Sequence, residues 1–277
     1  MPELPEVETV VRGLAQAVTG KRLARLELTR RDLRSAIPPD LAQNLEGRRV
    51  ERFSRRAKYI LMHVEGGGVL IAHLGMSGRM VIVPPGTTKP REKHDHAIFY
   101  FEDGTELRLN DARRFGLLDY AEEGHLAEHP RFRHLGPEPL SNEFNGPALS
   151  LLLKGKKTSI KAALLDQHVV VGIGNIYACE ALFGAGLSPK RLAGTVQHER
   201  AERLATAIRD VLTRAIAAGG SSLRDYVQAS GELGYFQHQW AVYGKEGEPC
   251  PDCDCGKGIK RIVQGGRSTF YCAKRQR

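Results

Sequence analysis

The sequence predicts an α+β protein of two domains, and three observations carry that expectation. The chain has 277 residues, about the length of two domains that each bury their own core. Its hydropathy pattern changes along the way: one leading helix, then short strands to about residue 120, then helices from about residue 148. The tail from residue 245 is a small module that holds four of the five cysteines. With 41% hydrophobic and 26% charged residues, disordered and collagen-like classes are excluded.

Residues 4–19 read as a helix, because Val7, Val10, Val11, Leu14 and Val18 recur at helical spacing. Pro5 suits its first turn and Gly20 its stop. Leu26-Glu27-Leu28 then alternates as a strand does. Tyr59–Val64 and Val69–Leu74 flank Glu65-Gly66-Gly67-Gly68, a hairpin signal, and Met80–Val83 stops at Pro84-Pro85. Ala97–Phe101 and Glu106–Leu109 flank Glu102-Asp103-Gly104-Thr105. Short strands with this punctuation make a sandwich or a barrel. Residues 125–147 are rich in Pro, Gly and His and read as a linker. Helical periodicity follows at Leu149–Leu153, Ile160–Leu165, Ile176–Phe183 and His198–Ala217, and Gly219-Gly220-Ser221-Ser222 breaks it. Gly265-Gly266 marks the tip of a terminal hairpin.

The net charge of +9 is unevenly placed. Residues 1–147 carry 22 basic and 21 acidic side chains, whereas residues 148–277 carry 19 and 11. A basic half is either a solvated surface or a phosphate-binding face, and charge alone leaves both open. No apolar stretch approaches the about 20 residues of a membrane span. Glu3, Glu6 and Glu8 stand where a secretory signal carries Lys or Arg, so the expectation is a cytosolic protein without a disulfide framework.

Several segments can carry chemistry. Met1 precedes the small residue Pro2, so an aminopeptidase would expose a secondary amine with a reference pKa of about 8. The positive end of the following helix disfavours its protonated form, and Glu3 and Glu6 are carboxylates for proton transfer. Taken alone, Pro and Glu are also simply good residues for starting a helix. Gly172-Ile173-Gly174-Asn175 lacks the third glycine of a dinucleotide loop, since Tyr177 stands there, but a Gly-rich turn opening a helix still cradles phosphate. Cys250-x2-Cys253 is half of a zinc site. Cys179, in an apolar helical pattern, reads as a buried structural thiol.

Across these segments the chain resembles the bacterial formamidopyrimidine-DNA glycosylases. The resemblance begins with Met1-Pro2-Glu3-Leu4-Pro5-Glu6-Val7-Glu8 and runs through Arg55-Arg56-Ala57-Lys58-Tyr59, His73-Leu74-Gly75-Met76-Ser77-Gly78 and Lys93-His94-Asp95-His96. It continues through Asp111-Ala112-Arg113-Arg114-Phe115-Gly116, Leu135-Gly136-Pro137-Glu138-Pro139-Leu140, Gly172–Tyr177 and the cysteine tail, and so spans essentially the whole chain in order. The sister endonuclease VIII family also begins with Pro-Glu, but the residues that follow and Leu74–Gly78 fit the formamidopyrimidine branch better.

The resemblance implies an N-terminal antiparallel β-sandwich with a leading helix (residues 1–130) and a linker (131–147). A helix–two-turns–helix DNA-binding domain (148–240) and a zinc-ribbon β-hairpin (241–277) would follow. It implies a base-excision repair enzyme, a DNA glycosylase and abasic-site lyase acting on oxidised purines in duplex DNA. Pro2 would form a Schiff base at C1′ of the damaged nucleotide, Glu3 would be the acid/base, and Lys58 a catalytic lysine. Arg267 would serve δ-elimination from the hairpin tip. Met76, Arg113 and Phe115 would fill the gap left by the extruded nucleotide, and His94, Lys157 and Asn175 would contact phosphates. The segment from Gly219 to Phe236 corresponds to the family's lesion-covering loop. Read singly, Lys58, His94, Lys157 and Arg267 are ordinary surface residues, and Met76 and Phe115 ordinary core.

The chain departs from the family's pattern at the metal. Cys272 is followed three positions later by Arg275, where the family has its fourth cysteine. Cys255-x16-Cys272 has the family's spacing between pairs, which makes Cys255 the equivalent of the second ligand, with Cys250 the first. The expected cofactor is one zinc ion held by Cys250, Cys253, Cys255 and Cys272, the Cys253/Cys255 pair being the open point. Alternatively, the site is weak or empty. The expected partner is damaged double-stranded DNA, met by a bacterial cytoplasmic monomer, with the basic surface as a clamp along a cleft between two domains. The rival readings are an endonuclease VIII-like preference for oxidised pyrimidines and a non-catalytic DNA-binding relative.

Overall fold

A computed structural model describes residues 1–221 and 234–277. The chain divides into two compact units: Met1–Arg133 with Ala218–Gln237, and His134–Ala217 with His238–Arg277.

The first unit opens with helix α1 (Leu4–Val18). Pro5 lies in its first turn, and the Glu6 carboxylate accepts the Glu3 N–H at 2.9 Å, which satisfies one of the donors a helix start leaves without a partner. Val7, Val10, Val11, Leu14 and Val18 are buried along one face. Eight strands follow: β1 (Leu23–Leu28), β2 (Val50–Arg56), β3 (Tyr59–Val64), β4 (Gly68–His73), β5 (Arg79–Val83), β6 (Asp95–Phe101), β7 (Glu106–Asn110) and β8 (Leu117–Glu122). A one-turn helix, α2 (Leu41–Leu45), lies between β1 and β2.

The strands form two antiparallel four-stranded sheets, ordered β1-β6-β7-β5 and β2-β3-β4-β8. This settles sandwich against barrel. One core joins α1 to both sheets, with Leu23, Phe99, Leu107 and Leu109 from the first and Val50, Ile60, Met62, Leu70 and Leu118 from the second. Each such side chain contributes about 1.5–3 kcal/mol on burial. Strands β2 and β8 escape a sequence reading of periodicity. In β2, Val-Glu-Arg-Phe-Ser-Arg-Arg, only Val50 is buried.

The second unit contains α3 (Gly146–Leu153), α4 (Ile160–Leu165), α5 (Asn175–Gly184), α6 (Glu199–Ala217) and a hairpin of β9 (Lys260–Gln264) and β10 (Arg267–Tyr271). Asn145 caps α3 through the Ala148 N–H and Ser159 caps α4 through the Ala162 N–H. Helix α5 is buried from Ile176 to Phe183, the central element of its unit. Among the described residues no helix is long and apolar enough to cross a membrane.

Two boundaries differ from the sequence reading. The Pro- and Gly-rich segment read as a linker is packed from His134 onward. Phe144 is wholly buried, Gly136 N–H donates to the Gln167 carbonyl at 2.8 Å, and the Arg209 guanidinium donates to the Ser141 and Phe144 carbonyls. Tertiary partners satisfy a backbone that has no regular structure of its own. Of the segment that follows α6, the described residues 218–221 and 234–237 group with the first unit instead of the second. Its base is anchored there, since Ser221 N–H donates to Glu6 Oε1 at 2.8 Å.

Candidate active site

Most of the candidate residues in the first unit leave one end of the sandwich. In the second sheet Arg56 pairs with Tyr59, Tyr59 with His73, and His73 with Leu117. In the first sheet Arg79 pairs with Asn110, and Asn110 with Asp95. These are the end rows of their sheets. The turn that carries Lys58, the turn Leu74–Gly78 that carries Met76, and the turn Asp111–Gly116 that carries Arg113 and Phe115 all start from them. His94 immediately precedes Asp95, and its carbonyl accepts the Asp111 N–H at 3.0 Å. Residues separated by up to 57 positions are brought to one rim by strand register within each sheet and by the turns that connect the two sheets.

The β2–β3 turn is tight. Ala57 has φ +52°, an uncommon conformation for a residue with a side chain. Arg55 holds it by donating to the Ala57 carbonyl at 2.9 Å and to Glu8 of α1 at 3.0 Å. Lys58 is only 7% exposed, so the bland reading of a surface lysine fails. Pro2 and Glu3, at the start of α1, are buried too. Glu6 is committed on both oxygens, to the Glu3 N–H and the Ser221 N–H. Its carboxylate thus ties the start of α1 to the segment around Ser221, and the Glu3 side chain completes the capping box by accepting from the backbone of Glu6.

Met76 is 39% and Phe115 42% exposed, against the core reading for both. The Arg113 guanidinium lies 4.8 Å from the centre of the Phe115 ring. Behind them, His73 Nδ1 accepts the Gly75 N–H at 2.9 Å. Burial first, then the cations of Lys58, Arg34 and Arg131, push the His73 pKa down to about 4, so the ring is a neutral acceptor. Gly75 has φ +62°, and a β-carbon there would lie 2.3 Å from the Phe115 carbonyl carbon. Only glycine fits between the two turns.

In the second unit Lys157 is exposed in the connection between α3 and α4, and Arg267 is exposed beside the hairpin tip Gly265-Gly266. Asn175, the first residue of α5, donates its side-chain amide to the Ser268 carbonyl at 2.9 Å. Lys161 of α4 reaches the same carbonyl at 3.3 Å and the Thr269 hydroxyl at 2.6 Å. Sequence reasoning passed over Lys161, because an amphipathic pattern gives no sign that a lysine turns inward. Glu180 accepts the N–H groups of Ala241, Val242 and Tyr243 and fixes the chain entering the cysteine module. The expected lesion-covering loop lies, for residues 222–233, outside the described residues.

The cysteines converge. The thiols of Cys250, Cys253 and Cys272 lie within 4.8 Å of one another. Cys253 Sγ is 3.5 Å and Cys255 Sγ 3.8 Å from Cys272 Sγ. Zinc–thiolate bonds of about 2.3 Å set tetrahedral sulfurs about 3.8 Å apart, so the donors fit that ion in size and softness. The compact trio contains Cys253, and Cys255 adjoins it through Cys272. Cys253 is raised by burial and by the adjoining thiols of Cys250, Cys272 and Cys255. Arg275, in place of a fourth cysteine, pairs with Asp252 at 2.9 Å and lies 4.7 Å over the Phe183 ring. Cys179 is buried core, as read.

The chain is similar to known proteins along its whole length. Residues 1–118 match the family model of the formamidopyrimidine-DNA glycosylase N-terminal domain, and residues 135–227 that of its H2TH domain. The formamidopyrimidine-DNA glycosylase of Rhodospirillum centenum is 56% identical over the full length of both chains. The crystal structure of the MutM (Fpg) protein of Thermus thermophilus superposes with a TM-score of 0.88 at 43% identity, covering 99% of this chain and 98% of that one. The Lactococcus lactis Fpg (MutM), solved with DNA containing N7-benzyl-Fapy-dG, gives a TM-score of 0.90 at 33% identity with both chains fully covered.

Proposed function

The chain belongs to the formamidopyrimidine-DNA glycosylase family, and from that premise we propose a base-excision repair glycosylase and abasic-site lyase. It removes oxidised purines, 8-oxoguanine and formamidopyrimidines, from duplex DNA, as a cytoplasmic bacterial monomer. The observation that carries the reading is the convergence of Lys58, Met76, His94, Arg113 and Phe115 on one end of the sandwich. Binding alone would not need a buried Lys58 beside that rim.

The mechanism assigns the nucleophile to Pro2, exposed by removal of Met1. Its neutral nitrogen attacks C1′ of the damaged nucleotide. The glycosidic electron pair leaves with the base, which takes up a proton, and opening of the sugar leaves a covalent iminium. Loss of a sugar proton expels the 3′ phosphate by β-elimination, and δ-elimination then expels the 5′ phosphate. Glu3 moves protons at the base and the sugar oxygen. Lys58 supports the reacting nucleotide with a cation, and Arg267 serves the second elimination. Met76, Arg113 and Phe115 fill the space of the extruded nucleotide, while His94, Lys157 and the turn before Asn175 hold phosphates. Cys250, Cys253, Cys255 and Cys272 hold a structural zinc ion, whose part is to stiffen the hairpin that presents Arg267.

Borohydride reduction during turnover of a lesion duplex tests this. A covalent protein–DNA adduct mapping to Pro2 is expected, absent in protein that retains Met1. Active enzyme that yields no adduct, or an adduct formed with Met1 in place, overturns it.

A further inference from the structure

The turns Leu74–Gly78 and Asp111–Gly116 contain no helix or strand, yet they carry the exposed Met76, Arg113 and Phe115. Isolated turns of this length would sample many conformations. Here one carboxylate joins them. Asp111 Oδ1 accepts the Ser77 hydroxyl at 2.8 Å, and Asp111 Oδ2 accepts the Gly116 N–H at 2.7 Å. Ser77 Oγ in turn accepts the Arg113 N–H at 3.3 Å. Asp111 is itself wholly buried and held by its backbone: its N–H donates to the His94 carbonyl at 3.0 Å, and its carbonyl lies 3.0 Å from His96 Nε2. The two turns also touch directly, at Gly75 against the backbone of Phe115.

We propose that Asp111 is a positioning residue that locks these two turns into a single preformed wedge, so that Met76, Arg113 and Phe115 enter the duplex as one rigid group. The proposal rests on the reading that these three side chains fill the space of an extruded nucleotide. A buried carboxylate accepting one O–H and one N–H forms stronger bonds than a neutral acceptor, and burial keeps water from competing. With the lock in place, the entropy of ordering both turns is lost on folding. Without it, that cost falls on the step that opens the duplex. Asp111 touches neither the reacting sugar nor, in this reading, the DNA.

The test is Asp111→Asn, which puts an N–H₂ group where one of the two donors points. Nucleotide extrusion is followed by 2-aminopurine fluorescence beside the lesion. Excision from the lesion duplex is compared with strand cleavage at an abasic site in single-stranded DNA, which requires no extrusion. The ratio of the two rates should fall about tenfold, with extrusion slowed to match. Ser77→Ala removes one arm of the lock and should give a smaller fall in the same ratio. Combined with Asp111→Asn, it should add little. If Asp111→Asn does not fold, the Ser77→Ala ratio decides. A wild-type ratio and extrusion rate, or an equal loss on both substrates, overturns the lock. A Met76→Ala, Phe115→Ala double variant separates the premise from the proposal. If it extrudes at the wild-type rate, the wedge reading fails. If it is slow while Asp111→Asn is normal, the lock alone fails.

Discussion

The ammonium of Lys161, 1% exposed, donates to the Thr269 hydroxyl at 2.6 Å and to the Ser268 carbonyl at 3.3 Å. Helix α4 thereby grips β10 immediately after Arg267. Lys161→Met keeps the apolar stem but strands a buried hydroxyl and weakens the hold on a carbonyl. It should cost about 2–3 kcal/mol in urea denaturation and speed amide exchange across β9 and β10. Unchanged exchange in the hairpin would show that the grip is elsewhere.

His73 makes stability depend on acid. It packs against the Tyr59 ring and faces the cations of Lys58, Arg34 and Arg131. Its folded pKa of about 4 lies below the ordinary value of 6.5. As pH falls through about 6.5 the unfolded ring takes up a proton while the folded one does not, so stability is lost from about pH 7 down to about pH 4. The loss from this group is about 3 kcal/mol. His73→Gln, which keeps an acceptor for Gly75, should flatten the decline by that amount between about pH 7.5 and 4.5. Parallel declines would refute the assignment.

Gly75→Ala combines an unfavourable φ of +62° with a 2.3 Å approach to the Phe115 backbone. Neither partner is a flexible side-chain end. A cost of at least about 2 kcal/mol is expected in thermal denaturation, together with slower excision from duplex DNA. A neutral substitution would mean that the two turns separate easily.

Purified protein should carry about one equivalent of zinc by elemental analysis, and both Cys253→Ser and Cys255→Ser should lower it. Retention of full zinc by Cys255→Ser alone would confine the ligands to the trio of Cys250, Cys253 and Cys272. Chelation should weaken DNA binding by loosening the hairpin while leaving the sandwich folded.

The elements of the fold were legible wherever periodicity was strong. Helix α1, the β3–β4 hairpin around Gly66-Gly67 and helices α3 to α6 fall where their apolar residues and turn signals put them. Strands β2 and β8 were not, because their side chains answer to cross-strand neighbours and not to a two-residue period. The packed run from His134 to Asn145 was misread for a related reason: its carbonyls are satisfied by Arg209 and by residues of distant segments.

By itself the sequence determined the chemistry available: the proline at position 2 with Glu3 behind it, the excess of positive charge after residue 147, the thiols of the tail and the missing cysteine at Arg275. These are properties of residue types and short spacings. Tertiary structure decided which groups meet. It turned Lys161 and Lys58 inward, made Glu6 a structural anchor, put Cys253 in the compact trio, and brought Ser77 to Asp111 across 34 positions. Those outcomes depend on strand register and on burial. Both are set by the whole core, and no local pattern encodes them.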